Sequence, residues 1–295
     1  MRTLCPSVGL GTLCRLCGIS RQAYYESINR SMRKELRNEQ VLTMVRTLRL
    51  THPRMGTRKI YKVLQAEMEL QGILIGRDQL FDLLADNQLL IRKTKRKVRT
   101  TLIKHPFYKY TNLIKDFTPY KRNQIWVSDI TYIRAGQHYS YLFLITDAYS
   151  RKIVGYMLSK DLRSKNATRA LTHAIDSSTD LEGLIHHSDR GIQYCSHEYV
   201  KLCQDYGIRL SMSEVGNPLE NAIAERINGI LKQEYLSESK AQNYDSLKKS
   251  VDHAIYKYNT LRPHMSCDMK TPNQAHQCSG LLKKQWKNYY LTKTS

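Results

Sequence analysis

The sequence predicts an α/β protein in which an all-α region precedes a mixed sheet covered by helices. Three observations indicate this arrangement. Apolar residues recur at helical spacing up to residue 91, and strand-like runs rich in aromatic and β-branched residues begin at residue 124. After residue 160, helix and strand patterns alternate. Strands that come first and then alternate with helices are typical of a mixed sheet with helices packed on it.

Residues 1–35 predict a segment that resembles a helix-turn-helix. In "GTLCRLCGISRQAYYESINR" a short helix ends at Gly18, and Ser20 is a suitable N-cap for a second helix. A glycine turn before a helix rich in Arg, Gln and Tyr is the shape of a DNA-binding helix-turn-helix. An ordinary αα-hairpin fits the pattern equally well. In the first interpretation, Arg21 is a candidate DNA contact.

Residues 36–91 predict a second helical module that binds DNA. Three amphipathic patterns follow one another, namely "NEQVLTMVRTLRL", "GTRKIYKVLQAEM" with a cap at Thr57, and "GRDQLFDLLADNQLL". Basic residues near the starts of these helices suit contact with phosphates. Arg58 and Lys59 are the candidate DNA contacts of this module.

A basic linker over residues 92–123 follows the helical module. Its first part, "RKTKRKVR", has six basic residues in eight. A charge run is usually a solvated segment, but its place between a helical module and a new domain favours contact with a phosphate backbone. The candidate DNA contacts in this run are Arg92, Lys93, Lys95, Arg96, Lys97 and Arg99.

Residues 124–240 predict the domain that contains the sheet. The runs "QIWVSDITYIR", "HYSYLFLITDAY" and "KIVGYMLS" have tight connections, so they predict an antiparallel meander of three strands. Helices then alternate with two further strands, "GLIHHSD" and "IRLSMS". The last helix of the domain is "NPLENAIAERINGILKQEY", and a helical extension over residues 241–295 follows it.

The charge of the chain indicates a polyanionic partner. The formal net charge is +21, and most of the excess lies before residue 124, where 25 Lys and Arg stand against 9 Asp and Glu. Neutralised phosphates release counterions, so this surplus favours double-stranded DNA as the partner. No apolar stretch approaches the roughly 18–20 residues that span a bilayer. We therefore expect a cytoplasmic, nucleoid-associated protein that has no membrane partner.

Two aspartates occupy strand positions that a substrate can reach. Asp129 interrupts the first strand, and Asp189 closes the fourth strand directly before the loop "RGIQYCS". A carboxylate inside a hydrophobic strand is costly unless it is paired or binds a cation. Asp147 ends the second strand near Arg151 and Lys152, so a structural salt bridge is the favoured interpretation of that carboxylate.

The helix "NPLENAIAERINGILKQEY" carries three glutamates with different expected roles. Asn217 as the N-cap and Pro218 as the first helical residue make Glu220 the third residue, which is a capping-box position. Glu234 lies nine positions after Glu225, which is about 180° around a helix of 3.6 residues per turn. We therefore expect Glu234 to face away, and Glu225 alone lacks a structural explanation.

Glu225 shares its helix face with Asn228 and Lys232, which are candidate DNA contacts. The buried stripe lies on another face and consists of Ile223, Ile227, Ile230 and Leu231. Carboxylates from two strands and one helix suggest a two-metal phosphodiester site with Mg²⁺ or Mn²⁺, since hard cations prefer oxygen ligands. The alternative is that all three are surface or capping acids, which the strand position of Asp129 argues against.

Three blocks of the sequence resemble the catalytic blocks of the DDE transposases related to retroviral integrases. These blocks are "WVSDITYI", "HHSDRGIQYCS" and "GNPLENAIAERINGILKQEY". The resemblance is closest to the second-frame (OrfB-type) proteins of bacterial insertion sequences. Thirty-five residues separate Asp189 from Glu225, as in that family, and Lys232 matches its basic residue seven places after the glutamate. "TNLIKDF", "HPRMGTRKI" and "YNTLRPHMSCDMKTPNQAH" extend the resemblance over nearly the whole chain.

The resemblance implies an RNase H-like catalytic core in which Asp129, Asp189 and Glu225 are the metal ligands. It implies a transposase that cuts the ends of its mobile element and joins the 3′-hydroxyls to target DNA. We expect a homo-oligomer on DNA that acts alone or with an upstream-frame DNA-binding partner or fusion. Two alternatives stay open, a metal-dependent nuclease without strand transfer and a catalytically inactive DNA-binding repressor. Glu220 departs from the family, since many relatives have aspartate there.

Overall fold

A computed structural model of the chain describes residues 9–91, 107–115, 117–136, 138–214, 220–237, 239 and 241–285. The chain divides into two compact units. The first comprises Met1–Leu50 and Val63–Leu90, and the second comprises Thr51–Lys62 and Ile91–Ser295. The predicted basic run at 92–99 lies outside the described residues.

The N-terminal region is helical, as predicted. Gly18 turns the chain between the first two helices with a φ of +67°. The Ser20 hydroxyl accepts the N–H of Ala23 at 2.9 Å, which confirms the predicted cap. The helices of this region are α1 (Leu10–Leu16), α2 (Arg21–Thr51), α3 (Thr57–Leu70) and α4 (Arg77–Asp86).

Helix α2 is longer than predicted. It runs for 31 residues through the boundary predicted between residues 35 and 36, so the patterns over 21–30 and 38–50 belong to one helix. The stretch between them, "SMRKELR", has no glycine or proline and is rich in good helix formers. The guanidinium of Arg37 donates to the carbonyl of Leu74 at 3.2 Å, which fastens α2 to the segment after α3.

The second unit contains a mixed five-stranded sheet, which confirms the predicted fold class. Its first three strands form the predicted antiparallel meander, whereas the fourth is parallel to the first and the fifth is parallel to the fourth. The strands are β1 (Ile125–Ala135), β2 (His138–Asp147), β3 (Ile153–Ser159), β4 (Ile185–Ser188) and β5 (Arg209–Met212). Their order across the sheet is β3-β2-β1-β4-β5, so β1 is central.

Helices cover both faces of this sheet. Buried residues of α5 (Ser164–Asp176) and α6 (His197–Asp205) share an apolar cluster with Trp126 of β1. Ile133 of β1 points the other way, into a cluster formed with α7 (Ala222–Ile230), its π-helical continuation Leu231–Leu236 and α8 (Tyr244–Thr260). A 3₁₀ turn at Met265–Cys267 and α9 (Pro272–His276) follow.

Helix α8 completes the core of the sheet domain. Its buried residues Leu247, Val251 and Ile255 lie in one apolar cluster with Leu142 of β2 and Ile153 of β3. The segment predicted as an extension beyond residue 240 therefore shares the hydrophobic core of the preceding strands.

Gly155 of β3 lies where the sheet approaches helix α5 closely. A Cβ atom built there meets the carbonyl oxygen of Ala170 and lies 2.7 Å from the Cβ of Ala174. The substitution Gly155→Ala is therefore expected to push α5 off the sheet and to lower the free energy of unfolding by about 1–3 kcal/mol. Urea unfolding followed by circular dichroism measures this loss.

The control for this prediction is Gly229→Ala in α7, where the described part of the chain brings no atom within 4 Å of the added Cβ apart from the adjoining residues and backbone of the helix itself. Alanine also favours a helix over glycine, so this variant is expected to keep or slightly raise the stability. An equal loss in both variants would contradict the close packing at Gly155.

Candidate active site

Asp129 lies within β1, and Asp189 directly follows β4, the parallel neighbour of β1. β1 and β4 pair with a constant offset of 60 residues, as in Val127 beside His187. The same register, continued by two residues, places Asp129 beside Asp189, and neighbouring strands lie about 4.8 Å apart. Residues two apart share a face of the sheet. Both carboxylates therefore belong to the face of Val127, which shares an apolar cluster with Ala224 of α7.

The buried phenol of Tyr194 lies near both carboxylates. Its burial, together with the charges of Asp189 and Asp129, raises the pKa of Tyr194 well above its usual value. Gly191 lets the intervening loop turn tightly, since its N–H donates to Asp189 Oδ1 at 3.0 Å and an added Cβ would lie only 2.9 Å from the same oxygen. The electrostatic effect of both aspartates on one side chain agrees with the register of the strands.

Helix α7 lies along the same part of β1. The Asn221 side chain donates to the carbonyl of Ser128 at 2.9 Å, and the Asn228 side chain donates to Asp129 Oδ2 at 2.9 Å. Glu225 lies four residues after Asn221 and three before Asn228, so the three side chains share one helix face. Helix α7 therefore presents Glu225, which is half-buried, to the strand segment that contains Asp129.

Lys232, on the π-helical continuation of α7, borders this group of carboxylates. Its ammonium donates to Thr131 Oγ1 at 3.1 Å and lies 4.6 Å from the ring centroid of Tyr132. Thr131 follows Asp129 by two residues and shares its face of the sheet. A positive charge beside the site suits a polyanionic substrate.

The three carboxylates are the kind of donor set that Mg²⁺ and Mn²⁺ prefer, because both ions favour oxygen ligands. Among the residues that the structure describes, no three His, Cys, Asp or Glu side chains are close enough together to hold one ion. The strand register, continued beyond its last printed pair, puts Asp129 beside Asp189, and α7 carries Glu225. Their joint role as metal ligands stays a prediction.

Comparisons with known proteins identify the family. Residues 119–218 match the family described as Integrase core domain, and residues 206–272 match a second family of the same description. The 31 kDa protein of insertion element IS600 from Shigella sonnei is 35% identical over 257 residues, which cover 85% of this chain and 93% of that protein. The chain belongs to the integrase-core transposases of insertion sequences.

The chain is also similar to other proteins. The transposase for insertion sequence element IS629 from Shigella sonnei is 27% identical over 261 residues, 86% of each chain. The HTLV-2 integrase catalytic core domain, solved in complex with magnesium, is 24% identical and covers 54% of this transposase and 100% of that chain, with a TM-score of 0.45. No helix in the described part of the transposase is long and apolar enough to cross a membrane.

The capping role predicted for Glu220 in the transposase is wrong. Helix α7 begins after Asn221, whose φ of −111° and ψ of 23° interrupt the helical backbone, so Glu220 precedes the helix. Its Oε2 instead accepts the N–H of Glu214 at 2.6 Å. Asn217 and Pro218, the predicted cap and first helical residue, lie outside the described residues.

Glu234 lies in a buried ion-pair cluster and not with the other carboxylates. It accepts two hydrogen bonds of 2.7 Å from the guanidinium of Arg262, whose side chain is 1% exposed, and one of 3.2 Å from the Lys59 ammonium. Burial alone would raise the pKa of Glu234, but Arg262 and Lys59 outweigh it and lower the pKa to about 2. Burial and the charge of Arg262 lower the pKa of Lys59 to about 8. Arg262 is the main partner of Glu234, because it donates two bonds of 2.7 Å against the single bond of 3.2 Å from Lys59.

The predicted DNA contacts of the transposase have different surroundings. Arg21 and Arg58 are exposed on α2 and α3. The Lys59 ammonium is instead paired with Glu234, and the buried Asn228 side chain is bonded to Asp129. Lys59 and Asn228 thus have intramolecular partners in the structure, and their contact with DNA stays a prediction.

Asp147 is structural, as predicted, but its partners differ from the prediction. Its Oδ2 accepts the N–H of Asn123 at 2.8 Å, and its Oδ1 accepts the N–H and the hydroxyl of Ser150 at 2.7 and 2.6 Å. These groups take the place of the expected salt bridge to Arg151 or Lys152, because the carboxylate is fully buried beneath the turn that follows β2.

Sequence patterns did not predict two residues that lie next to Asp189 and Glu234. Tyr194 belongs to the loop "RGIQYCS", and Arg262 belongs to "YNTLRPH". Neither has a local pattern that predicts its contacts. Both residues lie inside segments that resemble the family. That resemblance indicates that the segments matter, but it does not indicate that Tyr194 lies near Asp189 or that Arg262 binds Glu234.

Proposed function

We propose that this transposase cuts the ends of its own mobile element and joins the resulting 3′-hydroxyls to target DNA, with Mg²⁺ or Mn²⁺ bound by Asp129, Asp189 and Glu225. The observation that carries the proposal is the parallel pairing of β1 with β4 up to Val127 and His187, on the face covered by α7. Continued by two residues, this register supports Asp129 and Asp189 as neighbours. Membership of the integrase-core family supports it. Carboxylates beside DNA repel its phosphates unless a cation is bound, so a protein that only binds DNA gains nothing from them.

The reaction consists of two displacements at phosphorus. First, a water oxygen bonds to the phosphorus at the element end while the bond to the 3′ oxygen breaks, which leaves a 3′-hydroxyl. Then that hydroxyl oxygen bonds to a target phosphorus, and the target's own 3′ oxygen leaves. A bound divalent ion would activate the attacking oxygen and stabilise the leaving one.

The side chains of the transposase orient the substrate and the ligands. Asn228 holds Asp129 in place through its hydrogen bond to Oδ2. We assign to Lys232 the binding of a phosphate of the DNA strand, because its ammonium donates to Thr131 beside the carboxylates. The remaining DNA surface is assigned to the exposed Arg21 and Arg58 and to the basic run at 92–99.

The partners follow from the reaction. Because two element ends must be joined to one target, we assign a homo-oligomer on double-stranded DNA, acting alone or with an upstream-frame DNA-binding partner or fusion. The DNA substrate places this assembly on the nucleoid in the cytoplasm.

The experiment incubates the purified full-length protein with labelled DNA that carries the element end, with a plasmid target, and with Mg²⁺, Mn²⁺ or EDTA. We expect nicked ends and joined products with either metal and neither product with EDTA. Cleavage without joining would favour the nuclease, and binding without cleavage would favour the repressor.

Asn228→Ala is expected to raise the Mg²⁺ concentration needed for half-maximal cleavage by about 10- to 100-fold, because ligands that lose an orienting hydrogen bond bind metal less tightly. The same labelled-end assay measures this shift across a Mg²⁺ titration. The control is Asn259→Ala, which removes an amide that bonds the backbone of Ile153 in β3. Equal Mg²⁺ dependence in the two variants would contradict a positioning role for Asn228.

A further inference from the structure

The hairpin of β1 and β2 carries two exposed tyrosines beyond the end of β4. β1 pairs with β4 only over residues 125–127, whereas it pairs with β2 as far as residue 135. Tyr132 on β1 is 39% exposed and Tyr139 on β2 is 54% exposed. Their ring centroids lie 5.9 Å apart at an interplanar angle of 81°, so the rings form one edge-to-face aromatic surface.

This aromatic surface borders Lys232, which lies beside the carboxylates. Tyr132 follows Asp129 by three residues, about 10 Å along a strand, so its side chain belongs to the opposite face of the sheet. The Lys232 ammonium donates to Thr131 on the face of Asp129 and lies 4.6 Å from the ring centroid of Tyr132, so it reaches both faces of β1 beyond the residues that pair with β4. A strand whose phosphate lies at Lys232 therefore has its neighbouring nucleotide within reach of Tyr132.

The backbone of the hairpin is braced. The N–H of Gly136 in its turn donates to the carbonyl of Ala241 at 3.2 Å, and an added Cβ at Gly136 would lie 2.9 Å from the carbonyl oxygen of Gln242. Arg134, which pairs with Tyr139 in the strand register, donates to the Gly136 carbonyl at 2.7 Å. A surface held in this way loses little freedom when a ligand binds.

Aromatic rings bordered by cations fit a nucleotide, which has both a flat base and a charged phosphate. A purely acidic or a purely apolar partner would use only one of these two features. Bases stack on such rings whatever their sequence, and cations bind the adjoining phosphates. A base within a paired duplex is already stacked on both sides, so only an unpaired base offers a free face. We infer that Tyr132 and Tyr139 form a stacking surface for an unpaired base next to the phosphate at Lys232. This inference rests on the proposed function, which places a DNA strand at these carboxylates.

The test uses the full-length protein in EDTA, so that binding is measured without turnover. The probes are a fully paired duplex and the same duplex with a three-nucleotide single-stranded overhang that contains 2-aminopurine. We expect Tyr132→Leu to bind the overhang probe about 5- to 10-fold more weakly, with less quenching of 2-aminopurine and unchanged binding of the paired duplex. Tyr132→Phe keeps the ring and is expected to bind both probes like the wild type.

The matched control is Tyr256→Leu on α8, an equally large change at a tyrosine that is 61% exposed. It is expected to leave both probes unaffected. Loss of binding to both probes alike, full binding by Tyr132→Leu, or overhang binding lost equally in Tyr132→Phe would overturn the inference. So would a change of oligomeric state in Tyr132→Leu without a change in DNA binding, which would mark an interface between protein chains.

This test is separable from the test of the proposed function. An intact metal-dependent reaction in an Asp189→Asn variant would refute the catalytic assignment. The difference between the overhang and paired probes would still decide the role of Tyr132.

Discussion

Asp189→Asn is expected to abolish cleavage of the element end and joining to the target, while the protein still folds and binds DNA. The substitution keeps the size of the side chain but removes the negative charge that holds a divalent cation. Metal ions contribute several kcal/mol to such reactions, so the rate should fall about a thousandfold or more. The labelled-end assay measures the reaction, and electrophoretic mobility of the same DNA measures binding.

Glu225→Gln is the second arm of this experiment, and Glu220→Gln is its matched control. Both change glutamate to glutamine near the start of α7, but Glu220 precedes the helix and bonds the backbone of Glu214. We expect Glu225→Gln to be inactive and Glu220→Gln to retain metal-dependent activity. Normal activity in Glu225→Gln would remove Glu225 from the metal site, whatever the result for Asp189.

Arg262→Ala is expected to cost about 3–5 kcal/mol of stability, because it leaves the carboxylate of Glu234 buried without its main partner. The side chains of Arg262 and Glu234 are only 1% and 14% exposed, so water cannot replace the two lost hydrogen bonds. The midpoint of urea unfolding, followed by circular dichroism, measures the loss. Arg163→Ala, which breaks an exposed ion pair with Asp161, should leave that midpoint unchanged.

Acid titration distinguishes two explanations of the stability lost in Arg262→Ala, the broken ion pair with Glu234 and a general packing defect. The folded-state pKa of Glu234 is about 2, below its ordinary value of 4.5. A carboxyl with a depressed pKa stabilises the fold fully above about pH 4.5, and this contribution is lost as the pH falls toward 2. We expect a smaller loss of stability across this window in Arg262→Ala than in the wild type. An unchanged pH dependence would show that Arg262 does not hold the charge of Glu234.

Replacing both Arg262 and Glu234 tests whether the lost stability of Arg262→Ala comes from the unpaired charge. The double variant Glu234→Leu with Arg262→Met removes both charges, and buried ion pairs replaced by apolar residues often leave stability unchanged. Recovery of most of the lost stability is expected. If the double variant is as unstable as Arg262→Ala, the shape of these side chains matters more than their charge.

Local patterns in the sequence predicted the meander and the helix face of Glu225 because both depend on short-range periodicity. The start of α7 was mispredicted because "NPLEN" has good capping chemistry, yet the backbone at Asn221 leaves the helical region. The π-helical turn after Ile230 has no simple sequence pattern, and it changes the angular spacing on which the expected position of Glu234 relied. Glu234 instead binds Arg262, and helical periodicity does not predict this contact.

Sequence patterns did not predict the contacts between segments that lie far apart in the chain. The hydrogen bond from Asn228 to Asp129 joins residues 99 positions apart, and the pair of Lys59 with Glu234 joins residues 175 apart. From the sequence, a lysine near a helix start and an asparagine three residues after Glu225 suit DNA as well as they suit an internal partner. The internal partners became visible only in the folded arrangement.

The position of α8 on the sheet determines where the chain can be shortened. A fragment that stops at residue 240 would lose Leu247, Val251 and Ile255, and water would reach the apolar surface of Leu142 and Ile153. Such a fragment is prone to aggregate, because large exposed apolar patches associate. A truncated gene product of this kind would therefore be a poor competitor for DNA, and a dominant-negative inhibitor made from this transposase needs α8.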